Sequence, residues 1–437
     1  VKPVTGKGMT KGLLLTLYKQ KPLWESFSYA RKATPTQKLM LSLTQASPNS
    51  GDFIEQVEGR LPIENIELFQ QAWTQVIKYH EPLRSGFLFQ QGDAFVCCFK
   101  HFTPTWTIND VYNQDFFDDE VVNFLSIDRK KGFNNLLAPL YRFQLFRVSA
   151  EQVHFVWSYH HAILDGWSDV MILDQVFESY QQLLQKTTVK IDNNAATYRE
   201  FLEYIESLDH RTGETYWLEH LKKSTLSRLT PKLMTAKRDE QEFTISITKD
   251  EWQEIGRLQK KSGVTLSAMC QAASAMAICE ATGKYQWTYA NVHSIRPHEL
   301  EQVHLTSGLF INFLPTSVSI RPEDTIINLA RAVQATNLRH QEYACSFDML
   351  DILNHHNHLA HGLDYDVAIV YENYPQSKQA ITNQLKSHAQ SGLPVTIYFW
   401  PSQEYLNIQI KYWSSAIHHV EIARLAALII EKLSSGE

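Results

Sequence analysis

The chain has 437 residues, 44% of them hydrophobic and 12% aromatic, with a formal net charge of −6. That composition supplies sizeable cores and marks a folded globular protein. With no dense Lys/Arg run, no apolar stretch of bilayer-spanning length and no signal-peptide pattern, it argues against nucleic acid or a membrane as the main partner, and we expect a cytoplasmic chain.

In chain order, apolar periodicity predicts a helix over 68–79, strands over 82–89 and 94–99, and a strand over 141–148 that forms a hairpin with 153–159. The last of these, Val153-His154-Phe155-Val156-Trp157-Ser158-Tyr159, is rich in β-branched and aromatic residues. From Trp167 onward, Val170, Met171, Leu173, Val176, Phe177, Tyr180 and Leu183 recur at helical spacing. His160 and His161 therefore fall on a strand-to-helix turn. The polar stretch 186–196 marks the expected boundary between two halves. Beyond it come a strand over 242–247, helices over 249–262 and 265–281, strands over 285–293, 394–400 and 406–412, and a helix over 420–433. The class is mixed α/β, with no visible repeat.

Cys97, Cys98, Cys270, Cys279 and Cys345 form no Cys-x-x-Cys pair, and most of them read as buried apolar fillers. His355, His356, His358 and His361 are loosely spaced among Asn354, Asn357 and Gly362, which suits a solvated loop better than a metal site. There is no Gly-rich phosphate loop and no Gly-x-Ser-x-Gly elbow, so no bound cofactor or metal is expected.

The run His160-His161-Ala162-Ile163-Leu164-Asp165-Gly166-Trp167 has the form His-His-x-x-x-Asp-Gly. The other adjacent pair, His418-His419, is followed by no Asp-Gly and reads as surface helix. The first pattern resembles the signature of condensation domains of nonribosomal peptide synthetases, in the chloramphenicol acetyltransferase-like superfamily. Further blocks are similar to family segments in the family's order. They include Thr34-Pro35-Thr36-Gln37-Lys38-Leu39-Met40, His80 to Phe87, Ala138 to Arg142, Tyr198-Arg199-Glu200-Phe201, Gly308-Leu309-Phe310-Ile311-Asn312 and Tyr371-Glu372-Asn373-Tyr374-Pro375. Two departures stand out: Ile295-Arg296-Pro297 keeps the arginine of a common Gly-Arg-Pro but loses its glycine, and Phe313 replaces a small residue.

The resemblance implies two chloramphenicol acetyltransferase-like lobes in a V-shaped pseudo-dimer, with the active site at their junction and a tunnel open on both faces. The domains expected are a tail or linker over 1–32, an N-terminal lobe over 33–190 carrying the histidine motif, and a C-terminal lobe over 191–437. The implied reaction is amide formation: the amine of one carrier-protein-bound aminoacyl group attacks a carrier-protein-bound acyl or peptidyl thioester. The subtype is L-to-L or starter. The intact histidine pair separates the chain from cyclising relatives, and the absent Glu-Gly-His-Gly-Arg-Glu segment separates it from epimerising ones.

In this reading His161 is the catalytic residue, acting either as a general base or by orienting the amine. His160 supports it structurally. Asp165 is an N-cap for the following helix, a partner of Arg296 in a bidentate salt bridge, or both. Gly166 permits a close approach and offers a backbone N–H for a developing oxyanion. Trp167 reads as core and, with Asn312, Tyr371, Glu372 and Asn373, is a candidate lining residue of the tunnel or a pocket. Arg84 reads as a fold-holding arginine.

The partners implied are donor and acceptor peptidyl carrier proteins, whose phosphopantetheine arms carry the substrates, and an adjacent adenylation domain. The protein itself is expected to be a monomer, excised from a synthetase or served in trans. Two alternatives stay open: an acyltransferase using soluble acyl-CoA and an alcohol or amine, and a non-catalytic module that docks carriers.

Overall fold

A computed structural model describes residues 26–90, 92–111, 117–133, 136–137, 139–191, 195–224, 228–230, 239–374, 377–390 and 392–435. Most of the expected 1–32 tail lies outside the described residues, as do Ala138 and Pro375 of the blocks above.

Along the chain run β1 (Phe27–Lys32), α1 (Pro35–Ala46), β2 (Ile54–Leu61), α2 (Ile66–Ile77), β3 (Ser85–Gln90), β4 (Asp93–Phe99), β5 (Trp106–Asp110), α3 (Phe117–Lys131), β6 (Tyr141–Arg147), β7 (Val153–His160), α4 (Gly166–Leu184) and α5 (Tyr198–Ser207). They are followed by α6 (His210–Lys222), β8 (Glu240–Ile247), α7 (Lys249–Ser262), α8 (Leu266–Thr282), β9 (Gln286–Ser294), β10 (Ile311–Ser319), α9 (Ile326–Tyr343), α10 (Met349–His355), β11 (Val367–Tyr371), β12 (Lys386–His388), β13 (Val395–Pro401), β14 (Leu406–Trp413) and α11 (His419–Ser434). The mixed α/β class is as expected. Among the described residues no single helix is long and apolar enough to cross a membrane.

The chain gathers into two compact units, neither of them contiguous. The first takes the described part of Val1–Leu208 together with Arg296–Phe310 and Tyr374–Gln390; the second takes Asp209–Ile295, Ile311–Asn373 and Ser391–Glu437. The first unit thus runs past the polar 186–196 stretch and recovers two segments from far downstream.

In the first unit a five-stranded sheet has the order β12-β2-β7-β6-β5. β7 is buried along its whole length because it is antiparallel to β2 on one side and to β6 on the other. Phe155 and Trp157 of β7 and Phe143 of β6 meet Phe69 and Trp73 of α2, and Phe69 also packs on Phe177 and Tyr180 of α4. Each large ring buried there contributes about 1.5–3 kcal/mol. The strand before the histidine turn and the helix after it are thereby fixed to one core.

A second sheet orders β1-β4-β3. Phe27–Lys32, counted with the tail from sequence, is strand β1, because its backbone pairs with β4. The strand expected over 82–89 begins only at Ser85. A 3₁₀ turn, Glu81–Arg84, precedes it, since Pro82 has no N–H for a ladder. The Arg84 guanidinium donates to the carbonyls of Ile77 and Phe99 and ties these elements together.

The second unit is built on a six-stranded mixed sheet, β10-β9-β11-β13-β14-β8. Its core is continuous through α7, α8, α9 and α11. α8 is almost wholly buried because Ala, Ser, Met and Cys dominate it, which lets a helix sit against neighbours on several sides. Cys97 and Cys270 are buried, and burial pushes both thiols up, that of Cys97 to about 12. The histidine-rich segment expected as a loop is helix α10 followed by a 3₁₀ turn, Asn357–Leu363. Among the described residues no group of three or more ligand-type side chains is placed to hold a metal.

Candidate active site

β7 ends at His160, whose register partner on β2 is Ile54, and α4 begins at Gly166. The turn between them is held peptide by peptide. The His161 N–H donates to the Phe53 carbonyl (2.7 Å), the Ala162 N–H to His160 Nδ1 (3.0 Å), and the Ile163 N–H to the His160 carbonyl (3.0 Å). Gln37 Nε2, from α1, donates to the Ala162 carbonyl (2.9 Å).

The two histidines have opposite environments. His160 is fully buried, and both ring nitrogens are engaged. Nδ1 accepts from Ala162, so the proton sits on Nε2 and is given to Thr44 Oγ1 (2.9 Å), whose own hydroxyl donates to the Met40 carbonyl. Burial, and then the neighbouring His161, push its pKa down to about 3. His160 is therefore a neutral structural ring with no lone pair to offer.

His161 is half-buried. Its Nδ1 lies 2.7 Å from the Leu164 carbonyl, which can only accept, so Nδ1 carries the proton. In the neutral ring Nε2 is then an unprotonated lone pair, and it has no hydrogen-bonding partner among the described residues. A carbonyl holding Nδ1–H fixes both tautomer and ring plane. It would also stabilise the imidazolium if Nε2 took a proton.

Asp165 fills both roles left open for it. As N-cap of α4 its Oδ1 accepts from the Ser168 N–H (2.9 Å) and Ser168 Oγ (2.6 Å). Arg296 Nη2 reaches both carboxylate oxygens, at 3.1 and 3.2 Å, and the Phe310 N–H donates to Oδ2 (3.1 Å). The expected two-nitrogen fork is corrected here: a single guanidinium nitrogen serves the carboxylate, because Nη1 is taken by the carbonyls of Val303 (2.9 Å) and Thr306 (2.7 Å). The guanidinium also lies 4.0 Å from the centroid of Phe310. With side chains 10% and 5% exposed, the pair is a buried knot that stitches the turn to Arg296–Phe310. All the carboxylate's acceptor capacity is used within the protein.

Gly308 is required by close approach to a buried ring, and Gly166 lies close to one that is exposed. A Cβ on Gly166 would sit 2.6 Å from the ring of Tyr374, and one on Gly308, whose φ is +155°, would sit 2.2 Å from the ring of Tyr198. The Asp165 N–H donates to the Gly308 carbonyl and the Gly308 N–H to Ser168 Oγ, both at 3.0 Å. Trp167, read as core from sequence, is only half-buried, with its indole N–H on the His304 carbonyl (2.9 Å). A ring at the start of a helix can leave one face open while its N–H finds a loop carbonyl.

The remaining candidates belong to the second unit. Asn312 is buried and spends its side chain on local structure, donating to the carbonyls of Ala344 (2.8 Å) and Phe347 (3.1 Å) and accepting from the Phe313 N–H. Tyr371 ends β11 and packs against that unit's core. Glu372 is buried, with its N–H on the Phe399 carbonyl, and Asn373 is exposed.

Sequence reasoning assigned no individual role to Ser168, Gly308, Thr44 or Gln37. Gln37 and Gly308 lie inside blocks that resemble the family, and only their position in space gives them a role.

The family model described as "Condensation domain" matches residues 30–435. Among curated proteins the chain is 25% identical over 420 residues to a linear gramicidin synthase protein of Brevibacillus parabrevis, covering 92% of this chain and 8% of that protein. It is 25% identical over 316 residues to bacitracin synthase 3 of Bacillus licheniformis, covering 72% of this chain and 5% of that protein. Among solved structures it is similar to the starter condensation domain of rhizomide synthetase in complex with C8-CoA and Leu-SNAC, with TM-score 0.77, 15% identity and 95% coverage of each chain. It is also similar to the first condensation domain of the calcium-dependent antibiotic synthetase, with TM-score 0.75, 14% identity and coverage of 93% and 96%. The chain thus spans a small part of its curated relatives and nearly all of the single domains with which its fold agrees. It belongs to the condensation-domain family, acyltransferases that form amide bonds in nonribosomal peptide synthesis.

Proposed function

We propose that this chain joins an acyl or peptidyl group, presented as a thioester on one carrier protein, to the amine of an aminoacyl group on a second carrier protein. His161 is the residue that meets the amine. The observation that carries this reading is the fixed tautomer of His161, with Nδ1–H held by the Leu164 carbonyl and the Nε2 lone pair left without a partner among the described residues.

In the reaction the amine nitrogen forms a bond to the thioester carbon, and collapse of the tetrahedral adduct breaks the C–S bond. The proton lost by nitrogen ends on the departing thiolate. Nε2 supports this sequence either by taking that proton, an effect of about a hundred- to ten-thousandfold, or by orienting the amine. Both roles need the same ring plane. His160 cannot substitute, because its two nitrogens are occupied and its conjugate acid is too strong to form near neutrality.

The test is mass spectrometry of loaded carrier proteins offered in pairs to the native chain and to His161→Ala. Amide product from the native chain, and a rate about a hundredfold or more lower from the variant, is the expected result. An unchanged rate would remove His161 from the mechanism. A second reading, acyl transfer from soluble acyl-CoA, draws on the C8-CoA complex of the rhizomide starter domain. Product from free acyl-CoA without a donor carrier protein would favour it.

A further inference from the structure

Three threonine capping boxes close helix N-termini among the described residues, and one is unlike the other two. Thr197/Glu200 and Thr248/Glu251 use glutamate as the reciprocating side chain; Thr34/Gln37 uses glutamine. Either residue type completes the box, since all it requires is an oxygen accepting the N-cap N–H. In α1 that oxygen is Gln37 Oε1, which accepts from the Thr34 N–H at 3.0 Å. The amide is distinguished by what remains. Its Nε2, on a side chain only 1% exposed, donates to the Ala162 carbonyl at 2.9 Å. A carboxylate there could close the cap but could not make this bond.

Two turns further along α1, Thr44 accepts from His160 Nε2, and His160 Nδ1 accepts from the Ala162 N–H. One helix thus holds the Ala162 peptide groups on both sides: the carbonyl directly through Gln37, and the N–H through Thr44 and the His160 ring. Together with the His161 N–H on Phe53, the three successive peptides 160–161, 161–162 and 162–163 are all tied. The direction in which His161 leaves the backbone is thus held by bonds other than its own Nδ1–H bond.

We propose that Gln37 is a positioning residue for His161, with Thr44 as its second anchor, so that α1 acts as a clamp on the reacting turn. This rests on the reading of His161 given above, and displacement of a reacting group by about 1 Å costs on the order of a hundredfold in rate.

The discriminating variant is Gln37→Glu, which keeps the capping oxygen and loses the donor. At high pH a carboxylate faces the Ala162 carbonyl and the turn is pushed away. As pH falls and that buried carboxyl takes a proton, its O–H can donate in place of Nε2. The rate at saturating carriers, divided by the native rate at the same pH, is therefore expected to be about ten- to a hundredfold down at pH 8.5 and to recover toward 1 as pH falls toward 6. The carrier concentration for half-maximal rate stays unchanged. A lost helix cap alone gives no such recovery.

Imidazole ¹⁵N shifts of His161, assigned by difference with His161→Ala, are expected to move in Gln37→Glu at pH 8.5. This reads the clamp even if His161→Ala keeps the native rate and the catalytic reading fails. If Gln37→Glu does not fold, Thr44→Val read by the same two measurements takes its place. Native rates and native His161 shifts in the variant that folds would overturn the proposal.

Discussion

The first unit's histidine turn and the second unit's histidine cluster handle the same side chain in opposite ways. In the second unit His340 is fully buried, its ring 4.7 Å from His220 and 4.8 Å from Trp217 between centroids, and neither of its nitrogens has a partner among the described residues. Desolvation pushes it down to about 2 and the nearby His293 to about 4. His340 packs as an aromatic and costs stability as a polar group, whereas His293 keeps Asn291 and Gln341 as partners. In the first unit every nitrogen of His160 and His161 is assigned a hydrogen-bonding role except Nε2 of His161. What sets the His161 imidazole apart is that its surroundings fix its tautomer and leave one nitrogen open, whereas burial alone produces His340.

Removing the Asp165 carboxylate should have the largest effect on this contrast. Asp165→Ala leaves Arg296 as an uncompensated buried cation and strips the cap of α4, so it is expected to lower unfolding free energy by about 3–5 kcal/mol. Amide formation should fall at least a hundredfold with it; chemical denaturation and the paired-carrier assay measure the two losses.

Asp169 comes next. It is buried on α4 beneath the hydroxyl of Tyr159 (2.8 Å), and desolvation, partly offset by that bond, pushes its carboxyl up to about 7. Between the unfolded value near 4 and about 7 the folded state holds more protons than the unfolded one, so this group's contribution to stability declines as pH rises through that window. Asp169→Asn should be more stable than the native chain at pH 8 by about 2–4 kcal/mol, with the advantage vanishing near pH 4. Parallel melting curves at the two pH values would show it, and equal gains at both would refute the assignment.

A smaller effect is expected at His340. Its folded pKa is depressed, so the unfolded chain takes up the extra proton as pH falls below about 6.5. The native chain should lose about 2 kcal/mol through this group between pH 8 and pH 5, a loss that His340→Phe avoids. Comparable acid sensitivity in variant and native chain would show that His340 finds a partner the fold does not reveal.

Much of the site was legible because it is local. The strand, the histidine pair, the Asp-Gly and the following helix lie within about thirty residues, and each announces itself by periodicity or residue type. The identity of Arg296 as the partner of Asp165, 131 residues away, came from the resemblance, and its single-nitrogen geometry from neither. Gln37 and Thr44 were invisible in function because their contacts span 125 and 116 residues, and α1 itself carries no strong apolar stripe. Elsewhere, Pro82 turned the start of an expected strand into a 3₁₀ turn, and Phe27–Lys32 proved to be a strand that only its pairing with β4 could disclose.

The discontinuous chain of the first unit bears on any attempt to recombine such proteins. A graft joined at one point in the polar 186–196 stretch would bring the histidine turn from one parent while Arg296, Gly308 and Phe310, which close the Asp165 knot, and β12, which completes the sheet on β2, came from the other. Asp174 of α4 would likewise lose its own matched contacts, Ser377, Lys378 and Thr382. A chimera built by exchanging three stretches of chain, 1–208, 296–310 and 374–390, transplants the unit whole.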